Sequence, residues 1–176
     1  ILSQKSGETV GWTPDGKFVM QTPHAGDLSS LVFIAADGSG QERLVKTPGP
    51  SPRGGASLSP DGTKLVCTTH DPNGDIYRCY WQPVDDPAQA VLVFAGDPGG
   101  AHFPLNPCWS PNGKQILFND TSDFDHAARI VSVDDTGRPL PDVTRLAESF
   151  GEHQCARWTQ EPGRLVYGVT RPDGTH

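Results

Sequence analysis

The 176-residue chain lacks a long hydrophobic run: nothing in it approaches the roughly 18 consecutive apolar residues of a membrane-spanning helix, so no segment here is read as crossing a bilayer. Basic residues are in the minority. Fourteen Lys and Arg face 21 Asp and Glu, a net charge of −7, which argues against nucleic acid or an anionic membrane as the main partner, since both need a basic face. At 35% hydrophobic content the chain is lean for one thick core and better suited to thin layers stacked side by side. No signal peptide opens it, although a chain that begins at Ile1 rather than methionine leaves room for a leader removed beforehand. The four cysteines have neither zinc spacing nor the density of a disulfide scaffold. Cys-His, Ser-His-Asp, phosphate-loop and dinucleotide patterns are missing from the strand or helix contexts their mechanisms require.

Glycine (20) and proline (17) are plentiful and follow no short period, so they punctuate turns between short strands, and the expected class is all-β. The decisive feature is a repeat. Trp12-Thr13-Pro14-Asp15-Gly16-Lys17 returns as Leu58-Ser59-Pro60-Asp61-Gly62-Thr63-Lys64 and as Trp109-Ser110-Pro111-Asn112-Gly113-Lys114, with a decayed copy at Trp158-Thr159-Gln160-Glu161-Pro162-Gly163-Arg164. The turn glycines lie 46, 51 and 50 residues apart. Each copy reads as a β-turn in which proline presets φ and glycine supplies the positive φ that closes a hairpin.

Apolar strands follow each turn: Phe18-Val19-Met20, Leu65-Val66-Cys67, Ile116-Leu117-Phe118 and Leu165-Val166-Tyr167. Their near-continuous hydrophobicity implies sheets covered on both faces. Third strands (Leu31 to Ile34, Ile76 to Tyr80, Ile130 to Val133) and fourth strands (Arg43 to Val45, Val91 to Phe94, Val143 to Leu146) complete a four-stranded unit, the blade of a β-propeller. The expected layout is an outer strand of a preceding blade at 1–4, blades at 9–48, 55–96 and 105–150, and the first half of a fourth at 154–176. About three and a half blades fall short of the roughly six to eight of a closed ring, so the missing blades are expected from the same gene or from partner chains.

These residues resemble the TolB-like propeller repeat, a WD40-like Pro-Asp repeat with an inward aromatic, Ser-Pro-Asp-Gly, an apolar strand, Ile-Tyr and a closing Asp-Gly turn. Residues 58–80, with Asp75-Ile76-Tyr77, fit closely, and 12–38 fit with Asp37-Gly38 closing the blade. The resemblance implies a binding module for a protein, peptide or oligosaccharide, in a periplasmic or secreted setting. Such repeats also occur in the propellers of serine peptidases, which would require a hydrolase domain outside this chain. The second half, from His102 to Phe118 and on through Arg129-Ile130-Val131 to Glu152-His153, also resembles oligogalacturonate lyases. That likeness implies a cytoplasmic enzyme performing β-elimination on pectin fragments, with manganese held by His102, His153 and Gln154, while leaving the base unassigned.

By the meander of a blade, loops before the first strand and after the second share one rim, opposite the Pro-Asp-Gly turns. His24, His70, His126 and His176 are expected in second-to-third-strand loops of that rim, and His102 and His153 in loops leading to innermost strands. Asp120, Asp123 and Asp125 form an expected acidic loop, whose oxygens suit calcium or simply water. Polar residues are common in exposed loops, and the alternative is a metal or ligand site where loops from several blades converge. Cys67 and Cys79 face each other if their hairpin centres on Asn73, with buried thiols favoured over a bond. Trp12, Trp109 and Trp158, with Leu58 as the fourth member, are expected as wedges between blades.

Overall fold

The computed structural model describes residues 6–23, 30–49, 52–71, 73, 75–98, 102–122, 125–146, 156–161 and 163–167. Strands β1 (Ser6–Trp12), β2 (Phe18–Pro23), β3 (Ser30–Ala35) and β4 (Glu42–Lys46) form blade 1. Blade 2 comprises β5 (Pro52–Leu58), β6 (Lys64–Asp71), β7 (Ile76–Pro83) and β8 (Val91–Ala95), with a short 3-10 turn at Pro87–Gln89. Blade 3 comprises β9 (Phe103–Trp109), β10 (Gln115–Ser122), β11 (Asp125–Val133) and β12 (Pro139–Arg145). The pair β13 (Arg157–Trp158) and β14 (Leu165–Val166) belongs to blade 4. Every sheet is an antiparallel meander in chain order, and the innermost strands β1, β5 and β9 lie side by side.

The repeated turn is built by side chains closing on their own backbone. In blade 2 the Ser59 hydroxyl donates to Asp61 Oδ1 at 2.5 Å, the Thr63 N–H donates to the same oxygen at 3.0 Å, and the Lys64 N–H donates to Ser59 Oγ at 2.9 Å. Thr13 with Asp15 and Ser110 with Asn112 repeat the pattern. Gly16, Gly62 and Gly113 close these turns at φ +69, +73 and +69, which is why glycine is present in each copy. The Ser59 hydroxyl, then the Thr63 N–H, hold the Asp61 carboxyl down at about 2.

Because blades 2 and 3 are each covered on two sides, successive residues of their second strands enter different cores. Leu65 and Cys67 pack with Leu31, Phe33, Val45 and Leu58 between blades 1 and 2, while Val66 joins Trp81, Trp109, Ile116 and Phe118 between blades 2 and 3. Leu117 turns the other way, to Ala156 and Trp158 of blade 4. Buried polar groups cross the same interfaces. Thr68 Oγ1 donates to the Pro104 carbonyl at 2.5 Å, Gln82 Nε2 donates to the Lys46 carbonyl at 2.7 Å, and the Ala156 N–H donates to Asn119 Oδ1 at 3.0 Å. Each satisfies a group that would otherwise be buried alone.

One expectation is corrected. The hairpin of blade 2 pairs Cys67 with Tyr80 and Thr68 with Cys79, one residue out of the register that a turn centred on Asn73 requires. A slip of one sends the side chains to different faces, so Cys67 lies in the core toward blade 1 and Cys79 in the core toward blade 3. Both are unbonded and buried. Burial pushes the Cys67 thiol up to about 12, and Cys79 is raised well above its usual value, first by burial. The unfolded chain, in contrast, ionises its thiols near 8.5. Stability from these protonated thiols is therefore complete below about pH 8.5 and falls as pH rises toward the folded values. Neither should react with a disulfide reagent at pH 8 until the chain unfolds, and prompt labelling of the native protein mapped by mass spectrometry to Cys67 or Cys79 would contradict their placement.

Trp12 is 59% exposed, whereas its counterparts Trp109 and Leu58 are at 6% and 9%. The wedge position points toward the preceding blade: Leu58 contacts blade 1, Trp109 blade 2 and Trp158 blade 3. Among the described residues no blade precedes blade 1 to cover Trp12. At the blade 2–3 interface the closing turn of blade 3 adds a seal. Gly137 holds φ +87, and a Cβ there would stand 2.6 Å from Trp81 Cζ2. Gly137→Ala should therefore cost about 1–3 kcal/mol in chemical denaturation, and a neutral result would contradict this packing.

Candidate functional site

The second strand of blade 3 leaves the repeat pattern at its far end. Asp120 occupies the register position held by Thr69 in blade 2 and Pro23 in blade 1, and it is 1% exposed. A carboxylate buried so deeply needs partners. Arg129 Nε donates to Asp120 Oδ2 at 2.5 Å, and His102 Nδ1 lies 3.0 Å from both carboxylate oxygens. Antiparallel pairing explains the first contact: Asp120 is opposite Ala127 and Phe118 opposite Arg129, so Asp120 and Arg129 are diagonal neighbours on one face. The second comes from the approach to β9, whose pairing sets Pro104 against Asp120 and brings His102 alongside.

The surroundings make the cluster a shared feature of blades 2 and 3. Arg129 lies over the Phe94 ring of β8, 5.7 Å from its centre, and Phe94 packs on Phe118 at 4.9 Å. The exposed Asp97 places Oδ2 3.6 Å from His102 Nε2, on the chain that leaves β8 where the Gly96 N–H donates to the Tyr77 carbonyl at 2.8 Å. Beside it His70 Nε2 and Asp75 Oδ1 are 2.8 Å apart, with His70 stacked on Tyr77 at 4.4 Å and Tyr77 edge-on to Phe103 at 4.7 Å. An imidazole and a guanidinium held on one buried carboxylate, next to an aromatic row, form a surface of fixed donors, acceptors and ring faces.

His102 sits at the entry to an innermost strand, whereas His70 is not in a loop but in the last residues of β6, paired with Tyr77, because strand pairing runs on to Asp71 opposite Ile76. Asp120 does not belong to an acidic loop. Strand pairing runs on to Ser122 opposite Asp125, so Asp120 lies within β10 with its carboxylate held by Arg129. Asp125 and His126 begin β11, and their side chains lie outside the described residues. So do His24, Asp123, His153, Gln154 and His176 entirely, which leaves the proposed approach of His153 and Gln154 to His102 outside the described residues too. Among the described residues no three of His, Cys, Asp and Glu gather to hold a metal. Sequence reasoning missed Arg129, Asp97 and the Tyr77-Phe103 pair as site members. The signal for Arg129 was an acid and a base two register steps apart on one face of otherwise apolar strands.

No protein-family model matches the chain, and neither does any curated protein. Solved structures do match. Hydrazine synthase from Kuenenia stuttgartiensis superposes with a TM-score of 0.62 at 16% identity, over 90% of this chain and 48% of its own. The β-propeller domain of the Trilobed protease from Pyrococcus furiosus superposes with a TM-score of 0.56 at 9% identity, over 96% of this chain and 50% of its own. The fold is a β-propeller. TolB from Acinetobacter baumannii is matched at 16% identity over 98% of this chain and 54% of its own, with a TM-score of 0.46. The chain spans about half the length of these propeller-bearing chains.

Proposed function

We propose that this propeller is a binding module whose recognition surface is the rim bearing His102, Asp120, Arg129 and the Tyr77-Phe103 pair, and that it takes a peptide or a glycan. The observation that carries the reading is the buried Asp120. Residues with a structural role recur from blade to blade, as the turn residues and wedges do, whereas Asp120 has no counterpart of its type, the other blades carrying Pro23, Thr69 and Thr170 at its position. Orienting a half-buried imidazole through a buried carboxylate is how a protein prepares a side chain for a partner. The ring faces beside it suit sugar or peptide surfaces, and fixed donors and acceptors suit hydroxyl and amide groups.

Glycan and peptide arrays probed with the labelled chain test this. His102→Gln and Tyr77→Ala should each lower the signal of any specific ligand about tenfold or more, while leaving the melting temperature within a few degrees. Undiminished binding by both variants would remove the rim from the recognition surface. A second reading, a propeller accompanying a peptidase domain, is supported by the likeness to the Trilobed protease propeller. In either case we read the ring as completed by further blades, one covering the exposed Trp12 face of blade 1. The half-length match and the exposure of a residue buried at its repeat positions support this.

A further inference from the structure

Repeat positions line each inter-blade groove, and two neighbouring grooves differ. Between blades 2 and 3, Trp81 and Trp109 meet edge to face with ring centres 6.3 Å apart. Phe33 is the counterpart of Trp81, since Phe33 lies opposite Met20 and Trp81 opposite Val66, at the same step beyond their turn glycines. Leu58 is the counterpart of Trp109. A phenyl and an isobutyl group therefore stand between blades 1 and 2 where two indoles stand next door. Phe18, in the place of Lys64, adds a ring to the floor, yet an open groove of about 480 Å³ persists on the rim of the Pro-Asp-Gly turns. It is walled by Phe33, Leu58 and Val84, with Asp15 and Asp61 among its lining residues.

We propose that this groove binds an aromatic side chain, an indole above all, carried by a peptide segment with Lys or Arg beside it. The ring would occupy the space that the repeat fills with tryptophan one blade further on, against hydrocarbon walls of the same kind. The flanking cation is called for by the charges. The turn hydroxyls of Thr13 and Ser59 keep Asp15 and Asp61 ionised. Arg43, the cation lining the groove, is committed: it pairs with Asp85 and lies over the Phe33 ring at 6.0 Å. Lys17 sits 3.5 Å from Asp15, while Lys64, which lies over the Trp81 ring at 5.9 Å, is the weakest of the influences on Asp61, so Asp61 is the carboxylate left to receive the partner's cation. The turn bonds to Asp61 all end on Oδ1. This groove is at the opposite ends of the strands from His102, so it stands or falls apart from the rim proposed above.

The test is a nuclear magnetic resonance titration of the chain with blocked Lys-Trp-Lys and, in parallel, blocked Lys-Leu-Lys. The tryptophan peptide should give saturable shifts centred on Phe18, Phe33 and Leu58, with an affinity about tenfold or more above that of the leucine peptide. Leu58→Trp places the chain's own indole in the groove; it should raise the melting temperature and weaken binding of the tryptophan peptide about tenfold or more. If Leu58→Trp fails to fold, Phe33→Trp fills the same space from the facing wall and is held to the same result. Absence of saturable binding, equal affinity for the two peptides, or unchanged binding by a folded filled variant would overturn the proposal.

Discussion

Replacing Trp109 with alanine should lower the unfolding free energy by about 3–5 kcal/mol, whereas the same change at Trp12 should stay within about 0.5 kcal/mol. The contrast follows from one repeat position in two environments. Burying a tryptophan removes about 150–250 Å² from water, a gross gain of about 4–6 kcal/mol at about 25 cal/mol per Å². Trp109 collects that gain against Trp81, Val66 and Val93. Its indole N–H has no acceptor among the described residues, so packing alone accounts for its contribution. Trp12 is mostly in water already. Urea denaturation of the two variants measures the difference, and similar losses would mean that the wedge position is not what joins the blades.

Asp120→Ala should have an effect of comparable size. Removing one partner of a buried ion pair costs about 3–5 kcal/mol, and the low end applies because Arg129 and His102 keep 21% and 32% of their side chains exposed and can recover some hydration. Arg129 would lose its 2.5 Å bond and His102 the carboxylate that orients its ring. Arg129→Ala should cost at least as much, since it leaves the buried Asp120 carboxylate with the His102 imidazole as its remaining side-chain partner. Thermal denaturation of the two variants checks the order. A tolerant Asp120→Ala would mean that the carboxylate does not organise the rim.

How far the sequence could be read depended on whether the information was local. The turns were legible because Pro, Asp or Asn, and Gly act within a few residues, and all three well-kept copies close as their chemistry requires. Strand order followed from the meander. The Cys67 and Cys79 register was not legible, because it hangs on the bend beyond the last pair, Asp71 with Ile76. There Asp75 adopts φ +48, a conformation rare for a residue other than glycine. The exposure of Trp12 depends on what lies across the interface, which no pattern within blade 1 records. Asp120 looked like a loop residue because it stands near Asp123 and Asp125 in sequence. Its actual partners are 9 and 18 residues away, one across a hairpin and the other on the approach to an innermost strand. The groove between blades 1 and 2 was written in the substitution of Leu58 for tryptophan, but only the pairing of Phe33 with Met20 shows that its opposite wall shrinks as well.

Each wedge faces the preceding blade, and among the described residues nothing covers the Trp12 face of blade 1. Fluorine NMR of the chain labelled with 5-fluorotryptophan reads this arrangement most directly, because its four tryptophans give separate signals that a soluble paramagnetic agent broadens according to exposure. Single Trp→Phe replacements assign them. The account predicts strong broadening of Trp12 with Trp81 and Trp109 protected; a protected Trp12, or a Trp109 broadened as strongly as Trp12, would contradict it.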